Sequence, residues 1–167
     1  MRIALFNILL LLTISGNSDN HLVLKRDKSD NYGYADIKGR MIIPFGKYLM
    51  CFTDTFKKYA IVEKAKEGFV AIDRHEKVYY HIFTFDNGPD YLTDGLYRIV
   101  KDGKIGYADS NFSVKIQPQY GCAFPFKNGI AKVSYNCKTV AEPTSEYHTW
   151  ISNAWFYINK RGIRVKN

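Results

Sequence analysis

Residues 32–44 read Tyr-Gly-Tyr-Ala-Asp-Ile-Lys-Gly-Arg-Met-Ile-Ile-Pro, and this motif recurs along the chain. The same order of residue types returns at 105–118, and a looser copy lies at 69–79. The aspartates of the three copies, Asp36, Asp73 and Asp109, are 37 and 36 residues apart. A nearly constant period in this range indicates stacked supersecondary units.

Each copy is predicted to form a β-hairpin. The first strand ends at Asp36, whose side chain can bond its own backbone, and Gly39 supplies the left-handed residue of the turn. An apolar strand then returns at 41–43. A fourth, partial copy at 155–165 has Asn159 in place of the aspartate and Gly162 in place of Gly39.

A second half of the unit also repeats. Asn128-Gly129 precedes an alternating apolar run, as Asp94-Gly95 does one unit earlier, and such dipeptides favour tight turns between strands. Single hairpins are marginal in water, so copies must stack to bury a core. We therefore expect an all-β domain of tandem hairpin repeats, stacked into a small solenoid or twisted sheet. Its expected parts are a domain at 19–167, units at about 21–66, 67–102, 103–152 and 153–167, and an insertion at 136–152.

These repeats resemble the WG-repeat family, whose units centre on Trp-Gly-Tyr-Ile-Asp, a glycine turn and an apolar strand ending near proline. The match is clearest at 32–44 and at 105–131. Only Trp155 keeps the family's tryptophan, and Val70 and Phe156 replace its glycine. The resemblance implies a β-rich repeat scaffold, and it transfers no catalytic residue.

The first segment is predicted to be a signal peptide, residues 1–18. Arg2 precedes about a dozen apolar residues and then small polar ones, and the apolar run is shorter than the roughly 20 residues of a membrane span. No cysteine follows the run, so a lipoprotein anchor is not indicated. We expect a secreted or periplasmic protein with no membrane span after signal removal.

Composition and charge constrain the partners. The 167 residues suit one domain, and 16% aromatic residues favour β structure. The formal net charge of +8 permits contact with polyanions, but the basic residues are dispersed. No nucleic-acid partner is expected, and an acidic polysaccharide stays open.

The residues that could act in catalysis or bind a metal are better explained by structural roles. Asp36, Asp73 and Asp109 occupy equivalent turn positions, and the four histidines fit no zinc spacing. The sequence also lacks a phosphate-binding glycine loop and a nucleophile elbow. We expect no enzyme activity and no cofactor.

Three cysteines leave two interpretations open. Cys122 and Cys137 flank the predicted Asn128-Gly129 turn, and a disulfide between them would close a 15-residue loop, worth roughly 3 kcal/mol. The alternative is three buried thiols, because cysteine is among the most buried residue types.

Aromatic residues in and after the insertion are the candidate binding surface: Tyr147, His148, Trp150 and Trp155. Insertions in repeat proteins often project from the binding face. The leading hypothesis is a non-enzymatic scaffold that binds another protein. The alternatives are a binder of acidic envelope polysaccharide and an enzyme whose site is assembled across repeats.

Overall fold

The computed structural model describes residues 20–141 and 148–166, which confirm the prediction of an all-β fold. The predicted signal peptide lies outside these residues. No helix long and apolar enough to cross a membrane occurs among the residues described. The strands, in chain order, are β1 (Leu22–Arg26), β2 (Tyr32–Asp36), β3 (Met41–Ile43), β4 (Met50–Cys51), β5 (Thr55–Phe56), β6 (Tyr59–Lys64), β7 (Gly68–Asp73), β8 (Val78–Ile82), β9 (Thr84–Phe85), β10 (Gly88–Pro89), β11 (Leu96–Lys101), β12 (Lys104–Asp109), β13 (Val114–Tyr120), β14 (Cys122–Ala123), β15 (Ile130–Ser134), β16 (Lys138–Ala141), β17 (His148–Ile151), β18 (Phe156–Asn159) and β19 (Arg164–Val165).

Four antiparallel three-stranded meanders form the repeat. Meander 1 is β1-β2-β3, meander 2 is β6-β7-β8, meander 3 is β11-β12-β13 and meander 4 is β15-β18-β19. The fourth copy, which the sequence shows only in part, is completed by β15. Residues 135–155 separate β15 from β18 and contain the β16-β17 hairpin, which corresponds to the predicted insertion.

Short pairings extend the edges of the meanders, and one of them joins two meanders. β4 pairs with β6, β8 pairs with β11, and β14 pairs with β15. The second of these pairings merges meanders 2 and 3 into one seven-stranded sheet, in the order β13-β12-β11-β8-β7-β6-β4.

The core is divided into three apolar clusters, one at each junction between consecutive meanders. Strand β7 shows how one strand serves two of them. Val70 and Ile72 pack towards meander 1, whereas Phe69 and Ala71 pack towards meander 3. Because successive side chains of a strand point to opposite faces, a central meander must be apolar on both. This is stacking of the kind predicted for repeats.

The repeated aspartates build identical turns. In each, the Oδ1 atom of Asp36, Asp73, Asp109 or Asn159 accepts hydrogen bonds of 2.8–3.1 Å from the amides two and four residues later. The third residue after the acceptor has a left-handed φ of +62° to +82°. Glycine fills this position twice, as Gly39 and Gly162.

The dipeptide turns adopt the expected tight geometry. Asn128 and Gly129 both have positive φ, and Lys127 and Ile130 exchange two backbone hydrogen bonds around them. The Asp94-Gly95 turn has the same form, which is a type I′ hairpin turn. Gly129 donates its amide to the Asp94 carboxylate at 2.7 Å, so the turns of consecutive units are bonded to one another.

The glycine of the repeat is required by a close backbone approach. A β-carbon at Gly106 would lie 2.4 Å from the carbonyl oxygen of Ile116 and 2.5 Å from the nitrogen of Pro118. Meander 2 has Val70 at the equivalent position, directly opposite His81 of β8, and its register shift falls later, between Ala71 and Ile72. In meander 3 the shift lies between Ile105 and Tyr107, at Gly106 itself.

Candidate functional site

An aromatic surface is formed where two chain excursions meet. One excursion links meanders 2 and 3 and contains the β9-β10 hairpin, and the other is the insertion with β16 and β17. We define the aromatic surface as six rings: Tyr91, Phe85, Phe83, Trp150, Phe124 and Trp155.

Ring contacts join the six residues into two groups, and the Arg98 guanidinium lies against one ring of each group. Phe83 lies 5.7 Å from Trp150, and Trp150 lies 5.5 Å from Phe124, both measured between ring centroids. Trp155 lies a further 5.5 Å beyond Phe124. At the other end Phe85 contacts Tyr91 at 5.9 Å. Edge-to-face and tilted geometries of this kind are the favoured arrangements of aromatic pairs.

Much of the surface reaches solvent. Tyr91 is 62% exposed, Phe85 47% and Phe124 40%, while the other three rings are half-buried. Lys132 places its ammonium 4.9 Å from the ring centre of Trp155, which adds a positive charge at that end.

A buried ion pair holds the two halves of the surface together. Arg98 and Asp90 are almost fully buried, and the carboxylate accepts hydrogen bonds from Nη2 at 2.5 Å and from Nε at 3.0 Å. Nη1 donates to the carbonyl of Ala123 at 3.2 Å. The guanidinium lies 4.0 Å from the ring centre of Phe83 and 5.7 Å from that of Phe85. Arg98 therefore ties the β9-β10 excursion to β14.

The base of the insertion is also fixed. Cys122 and Cys137 form a disulfide bond, the pair that the sequence spacing favours. Ser152 donates a hydrogen bond of 2.7 Å to the carbonyl of Asn136, and its hydroxyl lies 2.8 Å from that of Ser134. A β-carbon at Gly121 would lie 2.7 Å from the carbonyl oxygen of Tyr135, so the chain crosses closely there.

A buried tyrosine supports the surface from below. Tyr107 donates its hydroxyl to the carbonyl of Phe124 at 2.7 Å, and burial raises the pKa of Tyr107 above its usual value. Tyr34, at the equivalent position of meander 1, bonds the carbonyl of Thr53 at 2.9 Å. The repeat's central tyrosine thus has one structural role in both copies.

The structure brings together only part of the predicted surface. Trp150 and Trp155 both contact Phe124. His148 lies at the start of β17, and Tyr147 lies outside the described residues. The third cysteine, Cys51, is a buried free thiol, and burial raises its pKa to about 11.

The repeat aspartates act in turns rather than in a shared site. The hydrogen bond from the Arg40 amide lowers the pKa of Asp36, which keeps its carboxylate charged and accepting. Within the residues that the structure describes, no group of three or more His, Cys, Asp or Glu side chains could hold a metal ion.

Two features were not predicted from the sequence. Asp27 forms a fifth turn of the same kind, accepting from the amides of Ser29 and Asn31 at 2.8 and 2.9 Å. The Arg98–Asp90 pair was also missed, although the alternation of β11 gave a signal. Leu96, Arg98 and Val100 share one face, and a charge between two apolar residues on a buried face needs a partner.

These observations define an all-β repeat protein of stacked meanders that presents an aromatic surface. The model of the WG containing repeat matches residues 32–65 and 105–138. The chain therefore carries WG repeats, which confirms the resemblance seen in its sequence. Both matched segments keep the glycine, as Gly33 and Gly106. No curated protein and no solved structure matches this chain.

Proposed function

We propose that this protein is a non-enzymatic interaction module that binds a protein partner through the aromatic surface. The observation that carries the proposal is the pair of contacting ring groups bridged by Arg98, in which three rings are more than a third exposed. Aromatic side chains are enriched in the centres of protein interfaces and supply much of their binding energy. Contiguous exposed apolar surface on a soluble domain also favours an interaction site.

The rigidity of the surface supports this proposal. The Arg98–Asp90 pair fixes one excursion, and the Cys122–Cys137 disulfide fixes the base of the other. A preorganised surface loses less conformational entropy when a partner binds. Arg98 and Asp90, the charged groups beneath the surface, are paired with each other and stabilise the fold, which favours binding over catalysis.

We further propose that the protein acts outside the cytoplasm, secreted or in a periplasm. The predicted signal peptide at 1–18 is one support. The Cys122–Cys137 disulfide is the other, because disulfides persist mainly in oxidising compartments.

Affinity capture from an envelope extract tests the partner proposal. The wild-type chain is compared with the double variant Phe85→Ala/Tyr91→Ala, which removes exposed rings that are not part of the core clusters. We expect capture of a discrete protein by the wild type and a loss of at least tenfold with the double variant. That loss corresponds to about 1.4 kcal/mol, a modest value for interface aromatics.

Tyr79→Ala is the matched control, because it removes an equally exposed tyrosine that is not part of the aromatic surface. This variant should retain capture. Equal capture by all three proteins, or no protein captured by the wild type, would contradict the proposal.

A further inference from the structure

A second candidate site lies on meander 2, apart from the aromatic surface. Seven residues around the end of β7 define what we call the basic–tyrosine cleft: Lys57, Lys58, Tyr59, Asp73, Arg74, His75 and Tyr79. Tyr59 begins β6 and pairs directly with Asp73, the last residue of β7. The turn after Asp73 then carries Arg74 and His75 along the same edge, so the repeat turn itself shapes the cleft.

The charge of the cleft is not neutralised. Lys57, Lys58 and Arg74 form no ion pair with another described residue, whereas Lys47 and Lys64 are each paired with a glutamate. The one acidic residue in the lining is Asp73, whose Oδ1 atom is occupied by the amides of His75 and Lys77. Arg74 donates hydrogen bonds to Asn20, a neutral partner that leaves its charge uncompensated.

Two tyrosines, Tyr59 and Tyr79, lie beside these cations. Tyr79 is 46% exposed, and its ring packs edge-on against Tyr59 with 4.8 Å between centroids. Tyr59 is in turn held against Phe112 at 5.5 Å. The ammonium of Lys58 lies 5.2 Å from the ring centre of Tyr59, so the positive charge and the tyrosines are adjacent.

We propose that this cleft binds an acidic polysaccharide, with a sugar ring against Tyr79 and the sugar's acidic group on Lys57, Lys58 and Arg74. An exposed aromatic ring offers a flat apolar face, which suits the apolar face of a sugar ring. Arginine and lysine bind carboxylate and sulfate alike. The disulfide is typical of exported proteins, which meet cell-surface polysaccharides rather than nucleic acids. The site is independent of the aromatic surface and of the function proposed for it.

Binding to immobilised polymers tests the inference with the full chain. The probes are polygalacturonate, which carries carboxylates, dextran sulfate, which carries sulfates, neutral dextran, and a thymidine oligonucleotide as a nucleic-acid polyanion. We expect binding to one or both acidic polymers, weakened by added salt because exposed charges are screened. Comparison of the two acidic polymers identifies which acidic group the cleft prefers.

Matched variants locate the binding. Lys57→Gln/Lys58→Gln should weaken binding at least tenfold, and Tyr79→Ala should weaken it where Tyr79→Phe does not. Lys101→Gln/Lys104→Gln removes the same charge from an exposed hairpin and should change binding less than threefold.

Four results would overturn the inference: no binding to either acidic polymer, equal binding to neutral dextran, equal loss with both lysine double variants, or tighter binding to a thymidine oligonucleotide. Phe85→Ala/Tyr91→Ala should leave polymer binding unchanged, which separates this site from the aromatic surface.

Discussion

Removing one partner of the buried Arg98–Asp90 pair should destabilise the protein strongly. Asp90 is 8% exposed and Arg98 3%, and the carboxylate accepts two hydrogen bonds from the guanidinium and one of 2.7 Å from the Arg98 amide. Asp90→Leu leaves a buried cation without its counter-charge, and Arg98→Met leaves the corresponding anion. Each single change should cost about 3–5 kcal/mol of unfolding free energy.

The double variant Asp90→Leu/Arg98→Met should be much milder than the sum of the two. It buries no unpaired charge and leaves only the Arg98 amide and the Ala123 carbonyl without their partners. We expect a cost of about 1–3 kcal/mol for these backbone groups. Urea unfolding of the three variants yields the coupling energy directly.

Lys101→Met is the control for the loss of a cation on the same strand. Lys101 is exposed at the end of β11, so this change should alter the unfolding free energy by less than about 0.5 kcal/mol. Single variants of the pair that cost less than about 1 kcal/mol, or a double variant as unstable as their sum, would contradict a buried, mutually dependent ion pair.

Three further predictions concern the repeat, the disulfide and the buried hydroxyls. Gly106→Ala should cost about 2–3 kcal/mol in urea unfolding, because its β-carbon meets backbone atoms of β13, whereas Gly88→Ala should cost less than about 0.5 kcal/mol. Replacing Cys122 and Cys137 by Ala should cost roughly 3 kcal/mol, and the denatured, unreduced wild type should show one reactive thiol rather than three. Burial raises the pKa of Tyr80 to about 12 from a usual 10.0, so its stabilising contribution is complete below pH 10 and is lost as the pH rises through 12. A urea midpoint that does not fall over that interval would contradict the burial of the tyrosine hydroxyls.

The parts of the fold predicted from sequence are those encoded within a few residues. Asp36 and Asn159 accept hydrogen bonds from the amides two and four positions later, so a short sequence motif is enough to predict the turn. The Asn128-Gly129 turn is local in the same way. A period of such motifs was enough to predict an all-β stack.

The grouping of strands into meanders was not predicted. The repeat segment 32–65 runs from the second strand of meander 1 to the first strand of meander 2. In the structure, each meander instead begins with the strand that ends the preceding sequence repeat. For example, β6 ends the segment 32–65 and is the first strand of meander 2. Alignment of the repeats does not show this offset, because it depends on which neighbouring strands bond: β6 and β7 form a hairpin across the boundary between two repeats, with Lys64 opposite Gly68.

The candidate site was only half predicted for the same reason. The aromatic residues of the insertion are visible as a cluster in sequence, which drew attention to Trp150 and Trp155. Phe83 contacts Trp150 across the two excursions, and Arg98 lies against both Phe83 and Phe85; no spacing rule reveals these contacts. The basic–tyrosine cleft likewise combines the start of β6 with the turn after β7.

Site-specific photo-crosslinking tests the proposed binding surface most directly. A photoreactive phenylalanine analogue is placed at position 85 or 91, and at position 79 as the control, in otherwise unchanged protein exposed to envelope extract. The aromatic surface predicts one discrete protein adduct from positions 85 and 91 that is absent from position 79. The same adducts from all three positions, or none from 85 and 91, would contradict it.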